Sequence, residues 1–134
     1  MKIKSYVENA RVPITVIQIE GNIDSTSYQD FKSKAAELIQ AGARYILVDL
    51  SQVPFVSSAG LRTFHELFNQ LRKISPETKL SEDAVKKQIV SGSYKSPHIK
   101  LLNVSVETRS ALQLSGFDMF IESFTEISAA IASF

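Results

Sequence analysis

Two adjacent serines, Ser57 and Ser58, lie between an apolar strand-like run and the start of a helix-like pattern. The run covers residues 45–48 and is closed by Asp49, and the helical stripe begins at Leu61. Open α/β sheets carry functional groups outside the carboxyl ends of their parallel strands, and a helix N-terminus stabilises an anion. A serine here is therefore either a functional hydroxyl or an ordinary helix N-cap, which is the commonest role for such a residue.

The segment around these serines also comes close to a hydrolase motif. Residues 56–60 read V-S-S-A-G and depart from the G-x-S-x-G nucleophile elbow at Val56. A serine nucleophile needs a histidine within hydrogen-bond reach. His65 lies seven positions along the same helix, about 10 Å up its axis, whereas His98 falls in an irregular stretch. A small serine hydrolase is the less favoured alternative.

Other catalytic and binding signatures are missing from the sequence. It has no phosphate-binding loop of the G-x-x-x-x-G-K-[ST] or G-x-G-x-x-G type. With no cysteine and two isolated histidines, we expect no metal site and no cofactor. Asp24 and Asp49 lie at a predicted helix start and strand end, where capping and turn formation compete with a functional role.

The composition is that of a globular domain, with 134 residues, 44% hydrophobic and 22% charged. Because 15 basic residues nearly balance 14 acidic ones, the charge does not favour nucleic acid or an anionic membrane. No apolar run approaches the roughly 20 residues of a membrane span, and the first residues lack a signal-peptide core. We expect one cytoplasmic domain over residues 1–134, without membrane insertion.

The elements that position the serines follow an alternating order. Strands are predicted at 3–7, 14–19, 45–48, 99–104 and 119–121, and helices near 28–39, from 57 or 58 to before Pro76, after Ser105 and over 125–134. Gly42 and Gly116 end two of these helices. This order predicts an α/β fold with a mixed, largely parallel sheet and about four helices packed on it. We expect Leu47, Val48, Phe64 and Phe68 to be buried.

Residues 75–98 do not fit the alternation. The stretch contains few apolar residues and is punctuated by Pro76 and Pro97. We interpret it as an accessory insertion before the fourth strand, outside the core.

Three segments together resemble the STAS domains of bacterial anti-sigma factor antagonists. The first is V-D-L-S at 48–51, continued by F-V-S-S-A-G-L at 55–61. The second is G-N-I-D at 21–24, followed by a helix that carries Phe31, and the third runs from L-L-N-V-S at 101–105 to L-Q-L-S-G-F at 112–117. The resemblance covers nearly the whole chain, and it is specific as a set.

This resemblance implies a four- to five-stranded STAS-like domain that is not an enzyme. It implies a module that, while unphosphorylated, binds an anti-sigma factor serine kinase, with a PP2C-type phosphatase as second partner. Aligned on Gly60 and the following leucine, the phosphoacceptor falls on Ser58. The partner-binding face that the resemblance implies consists of Ser58 itself together with Asp24, Ser57, Ala59, Gly60 and Arg62.

The chain departs from the family pattern at two places. The family typically reads D-S-[ST]-G-L, so Ser57 replaces an aspartate, which leaves open whether Ser57 or Ser58 is modified. A short turn usually stands where this chain has residues 75–98. A constitutive scaffold or ligand-sensing module, stressosome-like or associated with a transporter, is the alternative within the family.

Overall fold

The computed structural model describes residues 1–74 and 95–134. They form a five-stranded sheet in the order β1 (Lys2–Asn9), β2 (Pro13–Glu20), β3 (Ile46–Gln52), β4 (Ile99–Leu102) and β5 (Glu122–Phe124). β1 is antiparallel to β2, and the other neighbours are parallel. The described residues also form four α-helices, α1 (Tyr28–Gln40), α2 (Ser58–Ile74), α3 (Val106–Ser115) and α4 (Ile127–Ala132). This arrangement confirms the predicted α/β class and the element order.

The main core lies between one face of the sheet and helices α1, α2 and α3. Phe31 of α1 and Phe64 of α2 are both fully buried, and their rings meet edge to face with centroids 5.5 Å apart. Val48 of β3 belongs to the same cluster. The predicted stripe of α2 is buried as far as Leu71, whereas Ile74 at its end is exposed.

A smaller cluster covers part of the opposite face. Leu47 packs there with Ile14 and Val16, under Ala130 of α4 and Phe134. Leu47, Val48, Phe64 and Phe68 are all buried, as the continuous apolar run of β3 and the helical period of α2 predict. The sheet is thus buried on both faces around β3.

The prediction of a strand over Met119–Ile121 is wrong. Residues Phe117–Met119 form a 3-10 turn, and the strand comes later, at Glu122–Phe124. The N–H groups of Phe120 and Ile121 donate back to the Phe117 carbonyl at 3.2 and 3.0 Å. Both side chains are buried, which explains the apolar pattern, but both N–H groups are used within the turn.

Other predicted boundaries shift by a few residues. β3 continues through Asp49 to Gln52, and β4 ends at Leu102 because Asn103 takes a positive φ of 56°. Gly42 and Gly116 have φ values of 114° and 80°, as their predicted places after helices require. The last helix begins at Ile127 rather than Thr125.

Most of the predicted insertion, residues 75–94, lies outside the described residues. Pro76, the predicted limit of α2, lies there too. Its last part, 95–98, is described, and it alternates between exposed and buried residues. Ser96 and His98 are each 2% exposed, and the Ser96 N–H donates to the Phe120 carbonyl at 2.8 Å. These two residues are buried because they lead directly into β4, and the insertion as a whole stays a prediction.

Candidate functional site

Two loops at the carboxyl ends of β2 and β3 are joined by backbone hydrogen bonds. The Gly21 N–H donates to the Gln52 carbonyl at 3.0 Å. Further on, the Ile23 N–H donates to Phe55 O at 3.0 Å, and the Ser57 N–H donates to Ile23 O at 2.8 Å. This short parallel bridge places the loop that carries Asp24 beside the start of α2.

The two serines have different environments. Ser57 is half-buried and precedes the helix, where its carbonyl accepts from the Leu61 N–H at 2.9 Å and its hydroxyl lies 3.5 Å from the Gly60 N. Ser58 is the first residue of α2 and is exposed. Ser57 therefore occupies the capping position, and the Ser58 side chain is left accessible at the positive end of a 17-residue helix.

Gly60 allows the start of α2 to approach the loop bridge closely. A Cβ atom on Gly60 would lie 2.6 Å from Val56 Cγ1, 2.9 Å from Ile23 Cγ2 and 3.0 Å from Ile23 O. Because the last of these is backbone and the residues are buried, the loops could not move aside freely. Glycine here fixes the position of both serines relative to Asp24.

A Gly60→Ala substitution is expected to destabilise the domain by about 1–3 kcal/mol, the usual cost of overpacking a filled site. Chemical denaturation followed by circular dichroism measures it. Ser110→Ala is the control, because Ser110 is exposed on α3 and the substitution adds no atom there. An unchanged midpoint for Gly60→Ala would contradict the close approach.

Asp24 organises the turn before α1. Its Oδ1 accepts hydrogen bonds from the Thr26 hydroxyl at 2.7 Å and from the Thr26 N–H at 3.0 Å. These bonds to Thr26, together with those from Ser27, hold the pKa of the Asp24 carboxyl below its ordinary value. Asp24 therefore carries a negative charge at neutral pH and lies half-buried beside the bridge.

Helix α1 lacks the side-chain cap that its sequence predicts. Ser27 occupies the N-cap position, but its hydroxyl accepts from the Asp24 N–H at 3.0 Å and lies 2.6 Å from the Asn22 carbonyl. The polar side chains before α1 thus stabilise the loop and do not cap the helix.

The remaining predicted site residues lie on the first turns of α2. Ala59 is half-buried, Gly60 is buried, and Arg62 is exposed one turn after Ser58. The structure brings this turn and the Asp24 loop to the same end of the sheet. Asp49, by contrast, is a buried strand residue, whose carboxylate accepts from the Ser51 N–H at 3.0 Å and lies 3.4 Å from Gln18 Nε2.

Neither histidine is placed to activate the serines. His65 stacks on Phe117 with ring centroids 5.2 Å apart, two turns further along α2. His98 is buried at the opposite end of the sheet, before β4, with Nδ1 2.9 Å from the Arg44 carbonyl. No serine–histidine pair that a hydrolase needs is present within residues 1–74 and 95–134.

Two exposed apolar residues near the loop that precedes the serines were not predicted from the sequence. Phe55, in the loop before Ser57, is 49% exposed, and Val106 at the start of α3 is 77% exposed. The Ser105 hydroxyl donates to the Pro54 carbonyl at 3.2 Å, which ties the start of α3 to that loop. A phenylalanine between Pro54 and the serines, outside any helical stripe, is the signal that could have revealed this apolar surface.

In the described part of the chain, no three His, Asp or Glu side chains cluster in a way that could hold a metal ion. No helix among these residues has the length and apolar character needed to span a membrane.

Comparison with known proteins decides the family. The STAS domain model matches residues 5–82, more than half of the chain. The chain belongs to the STAS domain family. The predicted resemblance is therefore confirmed, and the STAS match includes both the Asp24 loop and the serine pair.

Individual relatives agree with this assignment. BtrV of Bordetella bronchiseptica, which carries a provisional name as an anti-sigma factor antagonist, is 30% identical over 64 residues. The match covers 48% of this chain and 55% of BtrV, so this STAS chain aligns with about half the length of that relative.

Solved structures share the STAS fold. An anti-sigma factor antagonist from Mycobacterium paratuberculosis has a TM-score of 0.65 at 20% identity, covering 98% of this chain and 94% of the other. The Bacillus protein SpoIIAA in its phosphorylated form has a TM-score of 0.59 at 18% identity, with 95% and 96% covered. At these identities the likeness establishes the fold.

Proposed function

We propose that this STAS domain is an anti-sigma factor antagonist switched by phosphorylation of Ser58. In its unphosphorylated state it binds and sequesters an anti-sigma factor that is also a serine kinase, in the cytoplasm. The kinase phosphorylates Ser58 and a PP2C-type phosphatase removes the phosphate, while the domain itself has no enzymatic activity. The observation that carries this proposal is the exposed Ser58 hydroxyl at the N-terminus of α2.

The local geometry favours Ser58 over Ser57 as the acceptor. A kinase must enclose the acceptor hydroxyl, and the Ser58 side chain is accessible, whereas Ser57 is half-buried under the loop bridge. Ser57 also replaces the aspartate typical of the family, so its hydroxyl takes over the capping position that a carboxylate would fill. The absence of a carboxylate at position 57 therefore leaves Ser58 available as the acceptor.

The fold should tolerate the phosphate. Phosphorylation adds about −1.5 to −2 charges at pH 7, and the positive end of α2 stabilises them. Arg62 lies four residues after Ser58, the spacing at which opposite charges on a helix attract. The modification therefore acts on the surface that the partner touches rather than on the structure beneath it.

The proposed partner face combines charge with apolar surface. Asp24 supplies a carboxylate, Arg62 a guanidinium, and Phe55 and Val106 supply exposed apolar side chains. Interfaces of this kind bury aromatic anchors and surround them with polar groups. A phosphate on Ser58 at such a face must be desolvated on binding, which weakens the complex.

The site of modification is testable by phosphopeptide mapping. Incubated with the cognate kinase and ATP, the wild-type protein and the Ser57→Ala variant are expected to be labelled at Ser58, and Ser58→Ala is expected to stay unlabelled. Strong labelling of Ser58→Ala would show that Ser57 or another residue is the acceptor.

The proposed function itself is tested by affinity capture from the native cell, with wild-type protein and Ser58→Asp as baits. We expect mass spectrometry to find an anti-sigma factor with an ATP-binding kinase domain on the wild-type bait and to find it strongly depleted on Ser58→Asp. Equal recovery on both baits would favour the constitutive scaffold. Hydrolysis of generic esters that is lost in Ser58→Ala would instead revive the hydrolase alternative.

A further inference from the structure

β1 forms one edge of the sheet, and within the described ranges no strand lies against its outer side. It is eight residues long, whereas β5 at the other edge has three. Edge strands present unpaired N–H and C=O groups that can pair with another chain, and short strands are one way to limit this. β1 is long enough to accept a partner strand.

The hydrogen bonds of β2 show which groups of β1 point outward. The Thr15 N–H donates to the Tyr45 carbonyl at 2.8 Å, so the backbone of Thr15 faces β3 and not β1. Its partner on β1 is Val7, which therefore forms a pair without hydrogen bonds to β2. Hydrogen-bonded and non-hydrogen-bonded pairs alternate along the ladder. The N–H and C=O groups of Ile3, Ser5 and Val7 therefore all point outward, away from β2.

We propose that two copies of this chain associate through antiparallel pairing of their β1 strands, with the two Ser5 residues opposite each other on the two-fold axis. In this register each Ile3 faces the Val7 of the other copy, and both have outward backbone groups. On the α1 side of the sheet, the half-buried Ile3 would then cover Val7, which is 56% exposed.

The side chains of the other face are self-complementary in the same register. Lys2 lies opposite Glu8 of the second copy, and Lys4 lies opposite Tyr6. Each pairing occurs twice, once on each side of the axis, as a two-fold interface requires. Opposite charges directly across a strand pair stabilise it, and a lysine beside a tyrosine ring is also favourable.

The α1 side of β1 is partly open. A groove of about 420 Å³ runs between Val7 and Ser5 of β1 and the C-terminal end of α1, where Leu38 and Ala41 line it. This groove shows that α1 leaves the outer strand partly uncovered. The site at Ser58 is formed by loops at the carboxyl ends of β2 and β3, so the pairing does not use the partner face.

Cysteine cross-linking tests the register, because the chain has no cysteine of its own. Directly opposite residues of a hydrogen-bonded pair have Cα atoms about 5.5 Å apart, which a disulfide spans. Ser5→Cys is expected to form a covalent dimer under mild oxidation, and Tyr6→Cys is the matched control. A dimer from Tyr6→Cys but not from Ser5→Cys would overturn the proposed register.

Sedimentation equilibrium of the full chain tests the interface. We expect a concentration-dependent dimer that Glu8→Lys weakens about tenfold or more, since two charge pairs become repulsive. The double variant Lys2→Glu/Glu8→Lys should recover the wild-type affinity. A protein that stays monomeric at several hundred micromolar, or a dimer unaffected by Glu8→Lys, would overturn the proposal. A monomer that instead binds a strand from another protein at β1 would also do so.

Discussion

A Ser58→Asp variant is expected to bind the anti-sigma factor more than about a hundredfold more weakly than wild type, with an unchanged fold. The substituted carboxylate lies on the face beside Asp24, where a close interface must desolvate it or set it against a charge on the partner. A penalty near 3 kcal/mol is enough for this loss, since each 1.4 kcal/mol is a factor of ten. At the first turn of α2 an aspartate is favourable, so the melting temperature should not fall.

Ser128→Asp is the matched control. Ser128 is also exposed and lies in the first turn of a helix, but that helix is α4 on the opposite face of the sheet. The same charge at an equivalent helix position should leave binding unchanged. Isothermal titration calorimetry with the purified anti-sigma factor measures both variants. Equal weakening by the two substitutions would mean that net charge, and not the face at Ser58, governs binding.

A Phe64→Ala variant is expected to lose about 3–5 kcal/mol of unfolding free energy. Phe64 is fully buried on α2 and contacts Phe31 of α1 edge to face. Truncating its ring leaves a cavity between two helices and the sheet, which neither helix can close without moving. Urea denaturation measures the change, and Leu114→Ala is the control, because Leu114 is 90% exposed on α3 and its loss should be nearly neutral. An unchanged midpoint for Phe64→Ala would contradict the packing of α2 on the sheet.

Strong periodic segments could be predicted from the sequence. The stripe through Leu61, Phe64 and Phe68 predicts which face of α2 is buried, because a helical period admits few alternatives. Both caps of α3 could also be predicted from the sequence. The Ser105 hydroxyl accepts from the Thr108 N–H at 3.2 Å, and Gly116 takes the left-handed conformation. These features depend on interactions between residues that are close in sequence.

Features that depend on distant contacts could not be predicted. Phe120 and Ile121 are apolar because they pack against the core, and nothing local distinguishes such a turn from a short strand. The burial of His98 depends on its bond to the Arg44 carbonyl, 54 positions away in the chain. The sequence pattern therefore indicates that Phe120 and Ile121 are buried but not what their backbone does, and it gives no sign that His98 is buried.

The candidate site could be predicted only in part, because it too depends on contacts between residues that are distant in sequence. Alignment with the family pattern at Gly60 leads to Ser58 as the proposed acceptor, and the same pattern leads to Asp24 as a proposed contact residue. The bridge between Ile23 and Val56, which brings them to one surface, joins loops more than thirty positions apart. The need for glycine at position 60 becomes clear once that bridge is seen, because an added Cβ would meet both of its residues.

The most direct test of the switch is the affinity of the anti-sigma factor for one protein preparation before phosphorylation, after stoichiometric phosphorylation at Ser58, and again after phosphatase treatment. We expect tight binding, then a loss of more than about a hundredfold, then full recovery. Circular dichroism should stay unchanged throughout, because the phosphate lies at a helix end that tolerates it. The same affinity in all three states would contradict the account.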